Sequence, residues 1–482
     1  MPRSRNGCTT CKRRHRKCDE TKPACLQCQN HNLQCDGYAI KLQWDVGVAS
    51  RGRLTGASVP VLLDGGIQSE SKEKEIETDN SEVSFDQFQT TQLLAVTEES
   101  IDYLSDYQNS PLDLEPYSVT NTESDWFQLR SLEEQELLEK FFQRTVFLLY
   151  STSTDDPFCQ ELKRLALQNE PLYLSLIATY LYISSPRNPP PLFHELCDQS
   201  LRLFREQLSG YNGTLDSGLI NAGTFLCTLH LFQGIPWTNH LKHMMWVYGL
   251  FPGAENSHRI AEMGHRFSLE AIATMDIPTF VRGRDTPTLG IWGYLRAGQA
   301  ATPEGLVGGV ESISGIPRSL LDIIARIGIP TAEEEFAAWP GHEGSVPHCH
   351  LWEAFRLAGI LLSRRQNHIN HSLPTNELLV CRLVATLDAL YETRHREEYR
   401  HILATNSILY PYTAARLEVS ILRQRPSWVK ALRKYAELCD AYRDTPNAII
   451  LEEILDNAMD TGDNDVDLDK QAQQRGVELS LF

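Results

Sequence analysis

The residues of this chain best placed to do chemistry are cysteines. Six of its twelve fall between positions 8 and 35, spaced as Cys8-x2-Cys11-x6-Cys18 and then Cys25-x2-Cys28-x6-Cys35. The two halves share one internal spacing, offset by seventeen residues. A CxxC turn points two thiolates at one ion, and the third cysteine lies across a short helix begun by that turn. Three thiolates per half leave a tetrahedral Zn²⁺ one ligand short, so six sulfurs complete two tetrahedra only if two are shared. This arithmetic favours a binuclear cluster. In a reducing compartment, clustered CxxC pairs point to metal ligation rather than disulfides. A segment this short has no core, so metal ligation must supply its folding free energy.

The two halves differ in charge. Between Cys11 and Cys18 stand Lys12, Arg13, Arg14, His15, Arg16 and Lys17, whereas Gln29, Asn30, His31, Asn32, Leu33 and Gln34 fill the matching gap. A metal store has no reason to charge one copy only. A nucleic-acid reader does, because it turns one face to phosphates and base edges. Aromatic residues for stacking on single-stranded bases are absent between Cys8 and Cys35, which weighs against an RNA-binding module. A protein-docking zinc module is the remaining binding alternative.

On these residues the segment resembles the fungal Zn2Cys6 binuclear-cluster DNA-binding domain, matching at every cysteine and carrying Pro23 where that family places its loop proline. The resemblance implies a small domain of two short helices around two Zn²⁺ ions. In it Cys8 and Cys25 would bridge, with Cys11 and Cys18 completing one ion and Cys28 and Cys35 the other. It implies double-stranded DNA as partner, read at CGG-like triplets in the major groove. Arg14 and His15 would approach the bases, and Lys12, Arg13, Arg16, Lys17 and Lys22 would meet phosphate. His15 departs from the commoner basic residue at its position, which leaves the triplet open. The resemblance also implies a nuclear location and action on RNA polymerase II transcription.

The net charge of −18 conceals a segregation that fits this picture. Residues 1–53 sum to +7, residues 64–126 to −14, and residues 450–482 to −7. A polyanion would be met by the first segment and repelled by the rest. Residues 46–127, rich in Ser, Thr, Asp, Glu and Gln, read as a disordered acidic linker that cannot bury enough apolar surface to fold alone. Its acidic-hydrophobic alternation over 85–117 has the composition of an activation segment. The acidic tail 450–482 reads as disordered and as a second such segment.

From residue 128 the texture becomes helical. Ser131 and Glu134 stand at capping-box spacing before Leu138, Phe141 and Phe142. Helix-length apolar patterns follow at 171–185, 191–209, 217–232, 239–251, 265–277, 317–328, 351–365, 375–392, 407–423 and 427–442, with loops at 252–258, 282–316 and 329–350. The expected architecture is a zinc-stabilised cluster domain at 1–45, the linker, a large all-α regulatory domain at 128–449, and the tail. "GYAIKLQW", "WTNHLKHMMWVY", "MDIPTFVRGR", "GIPRSLLDIIARIG" and "ILYPYTAARLEV" resemble the fungal-specific transcription factor domain. That implies a regulatory unit open to a small-molecule effector, with a homodimer as a further partner; no sustained heptad is present.

Catalytic signals are weak, and no enzyme is expected. There is no GxSxG elbow and no HExxH. His342, His348, Cys349 and His350 cluster in sequence without a metal geometry and read as surface or packing residues. An enzyme tethered to DNA would need a convergent polar pocket that no motif supplies. Cys159, Cys197, Cys227, Cys349, Cys381 and Cys439 read as small buried side chains in helices. The longest apolar run, 171–185, is too short to span a bilayer, so no membrane partner is expected.

Overall fold

The structure, a computed structural model, describes residues 10, 11, 14, 16, 18, 19, 21, 25–31, 33 and 35 of one unit, Met1–Ala95. In a second unit, Val96–Phe482, it describes 126–210, 213, 216–250, 266–301, 308–367, 374–436 and 444–482. Cys8, Lys12, Arg13, His15, Lys17, Lys22, Pro23, Cys439, "GYAIKLQW", the 252–258 loop and nearly all of the 46–127 segment lie outside the described residues.

In the first unit a single turn, α1 (Leu26–Gln29), begins at Cys25, whose sulfur accepts from Cys28 N. The other half shows a helical hydrogen bond from Arg14 N to Thr10 O (3.1 Å).

The second unit is helical, as its sequence pattern predicts. Most helix starts obey local rules. Ser131 caps α2 (Leu132–Gln143) by accepting from Glu134 N, and Asp156 caps α3 (Pro157–Ala166) by accepting from Phe158 N. Asn169 caps α4 (Glu170–Ser184) through Leu172 N. In α3 and α4 a proline stands in the first turn, where its missing N–H costs nothing. Next come α5 (Pro191–Ser209), α6 (Ser217–Phe232), α7 (Thr238–Val247) and α8 (Arg266–Met275). α4 and α6 are buried on nearly every side, which is why they read as unbroken apolar runs rather than amphipathic stripes. α4 packs against α2, α5 and α6.

After the short β1 (Val281–Arg282) come α9 (Ile291–Ala301), α10 (Arg318–Ile324), α11 (Ala332–Ala338) and the long α12 (Val346–Gln366). Then follow α13 (Asn376–Thr393), α14 (Leu409–Arg416), α15 (Val419–Arg423) and α16 (Pro426–Ala436). α12 is a second centre, packed against α11, α13 and α14. One continuous core serves both centres. Among the described residues no helix is long and apolar enough to cross a membrane.

The loops expected at 282–316 and 329–350 are not wholly loops, since they hold α9, α11 and the first turn of α12. The start of α9 is set by a distant group. Both carboxylate oxygens of the buried Asp276 accept from Leu289 N, and one also accepts from Ile291 N (3.1 Å). No spacing rule reveals a partner fifteen residues away.

The largest correction concerns 450–482, which is folded. It supplies most of α17 (Pro446–Thr461), all of α18 (Leu468–Gln474), and β2 (Leu479–Ser480), which pairs antiparallel with β1. Several of the acids that suggested disorder have cationic or N–H partners. Glu452 and Asp456 pair with the buried Arg416, Asp456 also with Arg433, and Asp469 with Arg282. Glu478 is fully buried and accepts from Trp237 N (2.7 Å), Thr238 N (2.8 Å) and Asp285 N (2.6 Å). Its charge therefore sits at the N-terminus of α7, where the helix dipole favours an anion.

His342 and His348 are packing residues as expected. His348 stacks on Trp352 with ring centroids 5.7 Å apart, and His342 meets the same indole edge-on. Cys227 is buried as expected, whereas Cys349 and Cys381 are exposed. His230 and His240 lie 5.1 Å apart between ring centroids, and burial, aided by His240, pushes the His230 pKa down to about 4. A histidine held neutral in the fold takes up a proton first in the unfolded chain, so stability is full above about pH 6.5 and falls as pH drops toward 4. Over that window His230 contributes a loss on the order of 3 kcal/mol. Replacing it with leucine should flatten that limb of a urea-midpoint against pH curve; an unchanged slope would exclude His230 as its source.

Candidate metal centre and nucleic-acid interface

Cys11, Cys18, Cys25 and Cys28 are all buried, and among the described residues of this unit Leu33 and Cys35 pack against them. Buried thiols are abundant here because they face a common point. The sulfur of Cys11 lies 3.7 Å from that of Cys25 and 3.8 Å from that of Cys28. A disulfide would bring sulfurs to about 2.05 Å, so these are not bonded pairs. Four sulfurs at about 2.3 Å from a zinc ion stand roughly 3.8 Å apart along the edges of their tetrahedron. The observed separations match that edge. The donor set and spacing therefore fit zinc.

Two donor groups emerge, and Cys25 belongs to both: Cys11, Cys25 and Cys28 form one, and Cys18, Asp19 and Cys25 the other. A sulfur shared between two groups is the arrangement that six ligands and two ions require. In the first group Cys11 stands beside Cys28 as well as Cys25.

Asp19 is the residue that sequence reasoning missed. Its carboxylate accepts from Leu26 N (3.0 Å), Gln27 N (2.9 Å) and the Thr21 hydroxyl (2.6 Å). These bonds, that from Thr21 foremost, hold its pKa far below the usual carboxylate range. It caps α1 from the other half of the repeat and ties the two halves together. An acid placed directly after the third cysteine was the available signal, although nothing local distinguishes it from a surface charge. Arg14 and Arg16 are exposed, on the basic half, and the described part of the neutral half carries His31 exposed in the matching gap.

Comparison with known proteins agrees with this geometry. Residues 6–45 match the model of the fungal Zn(2)-Cys(6) binuclear cluster domain, a zinc-binding module, and residues 136–329 match the fungal specific transcription factor domain. The chain is 42% identical over 69 residues to sterol uptake control protein 2 of Saccharomyces cerevisiae, covering 14% of this chain and 7% of that protein. It is 58% identical over 36 residues to transcriptional regulatory protein moc3 of Schizosaccharomyces pombe, covering 8% and 7%. It is also 58% identical over 36 residues to the aspercryptin biosynthesis cluster-specific transcription regulator atnN of Emericella nidulans, covering 8% and 6%. The matched stretches thus span less than a tenth of these relatives. No solved structure matches the chain. The cysteine cage of zinc dimensions thus falls in the stretch that matches the binuclear cluster domain, and helices α2 to α10 fall in or next to the stretch that matches the fungal specific transcription factor domain.

Proposed function

We propose that this protein is a nuclear, sequence-specific DNA-binding regulator of RNA polymerase II transcription. The observation that carries the reading is the asymmetry of the cysteine repeat: one scaffold used twice, with the cations confined to one copy. Residues 1–45 would hold two Zn²⁺ ions through Cys8, Cys11, Cys18, Cys25, Cys28 and Cys35, with Cys8 and Cys25 shared; the double membership of Cys25 supports this. Zinc supplies the fixed framework, and the residues between Cys11 and Cys18 supply the contacts. Arg14 and His15 would face base edges, while Lys12, Arg13, Arg16, Lys17 and Lys22 would meet phosphate.

Residues 46–127 would act as an acidic tether whose 85–117 stretch suits contact with the transcription machinery. The segment 450–482 does not share that role, since it is folded into the helical unit and Glu452, Asp456 and Glu478 are engaged there. The helical unit would be the regulatory part, responding to an effector, and a second copy of the chain would place two readers on spaced triplets.

The test is selection of bound duplexes from a randomised pool by the zinc-loaded protein, with its zinc content measured in the same preparation. Two zincs per chain and an enriched CGG-like triplet are expected, and triplet spacing reports monomer or dimer. Zinc without any enriched sequence would move the function to docking, RNA or non-specific binding. Arg14→Ala should weaken binding to the selected site roughly ten-fold or more while costing random duplex little, because a bidentate arginine–guanine contact discriminates by about 1–3 kcal/mol. Equal losses on both duplexes would remove Arg14 from base reading.

A further inference from the structure

The helical unit contains a partly open cavity with a free volume of about 70 Å³. One water needs roughly 10–15 Å³ on this measure, so the space exceeds a single-water defect several-fold. Its walls come from distant parts of the chain. The segment before α3 contributes Tyr150 and Ser151, one face of α6 contributes Thr224, Phe225 and Thr228, α8 contributes Ala271 and Met275, and Phe482 follows β2 into the wall. Phe482 is held there by stacking on Phe280, with centroids 5.3 Å apart and rings 20° from parallel.

The polar groups of this lining are almost all spoken for. Thr224 and Thr228 hydroxyls donate to Ile220 O and Thr224 O (2.9 Å each). The Asn406 amide donates to Phe147 O and Tyr150 O (2.7 Å each), and the Asn221 amide to Ser217 O and Ser268 Oγ. Ser151 and Ser407 hydroxyls bond each other. One group is left over. The Tyr150 hydroxyl is buried, at 1% residue exposure, with no hydrogen-bond partner, and Tyr150 is one of the residues that line the cavity. No side chain of the lining is acidic, basic or a histidine.

We propose that this cavity is the effector site of the helical unit and that it takes a neutral, largely apolar small molecule bearing one hydrogen-bonding group, a carbonyl, hydroxyl or amine, which pairs with Tyr150 Oη. A charged ligand would find no side-chain counter-charge and lose its hydration, whereas a neutral one satisfies an orphaned hydroxyl and covers apolar wall. The proposal rests on the reading of this unit as regulatory, but its test does not involve DNA, so either can fail alone.

The test uses the full zinc-loaded chain and 1-aminoanthracene, a fused aromatic that is uncharged at pH 7 and carries one amino group. Its fluorescence should rise to saturation at one molecule per chain, while the anionic dye 8-anilinonaphthalene-1-sulfonate should bind at least ten-fold more weakly. Tyr150→Phe should leave the fold intact, because its hydroxyl bonds nothing, and should weaken 1-aminoanthracene by about three- to ten-fold, the worth of one hydrogen bond. Ala271→Leu, which fills the cavity, should abolish saturable binding; if it does not fold, Thr228→Leu at the half-buried edge makes the same test. Binding unaffected by both Tyr150→Phe and the filling variant would overturn the site, and equal affinity for the anionic dye would overturn the ligand class. Either failure would leave the DNA-binding reading untouched.

Discussion

Replacing Cys25 with serine is expected to release both zinc ions together and to abolish duplex binding, while the helical unit keeps its melting temperature. Cys25 is the one described sulfur found in both donor groups, and it is also the N-cap of α1. A hydroxyl is a poor zinc ligand and holds its proton at neutral pH, so both tetrahedra lose a corner at once. Among the described residues of the unit the buried apolar groups are the cysteines themselves. Apparent zinc-binding free energies of about 10–16 kcal/mol in small zinc domains are also their folding free energies, so the loss should amount to unfolding of the unit. Metal analysis of the purified variant would show near zero zinc, against one ion retained if Cys25 served a single site. Cys28→Ser distinguishes the two cases further, because it should spare the second ion at least partly.

The second large effect is expected at Glu478. Changing it to alanine leaves the buried backbone N–H groups of Trp237 and Thr238 and the part-buried one of Asp285 without their acceptor and removes the anion at the start of α7. Each orphaned buried donor costs about 1–3 kcal/mol, and relaxation of the site brings the sum to about 3–5 kcal/mol. Glutamine at this position keeps an acceptor but loses the charge, so it should cost less than alanine. Urea denaturation of the two variants checks the order. A loss below about 1 kcal/mol for alanine would mean that β2 and its flanks dock only at the margin. Zinc content should be unchanged in both.

Glu478 also marks where local reading stops. Local rules located most helices of the second unit, because caps such as Ser131 and Asn169 act within three residues of their N–H partners and leave that distance in the sequence. They misjudged 450–482, because composition counts acids without their partners. Arg416, Arg433 and Arg282 lie between 23 and 187 residues away from the acids they neutralise. α9 was lost for the same reason, its start being bonded to Asp276 across a turn.

The candidate site was more legible. By itself the sequence determined the cysteine pattern that fits zinc and the confinement of the cations to one half of it, since metal geometry demands cysteines at fixed short spacings and a polyanion demands clustered cations. Both demands are local and survive in the order of residues. Only the tertiary structure decided which cysteines face one another, that Asp19 joins the two halves, and that Tyr150, Ala271 and Phe482 meet around one cavity. Those arrangements depend on contacts between residues far apart in the chain, and burial there is set by packing that no single segment encodes.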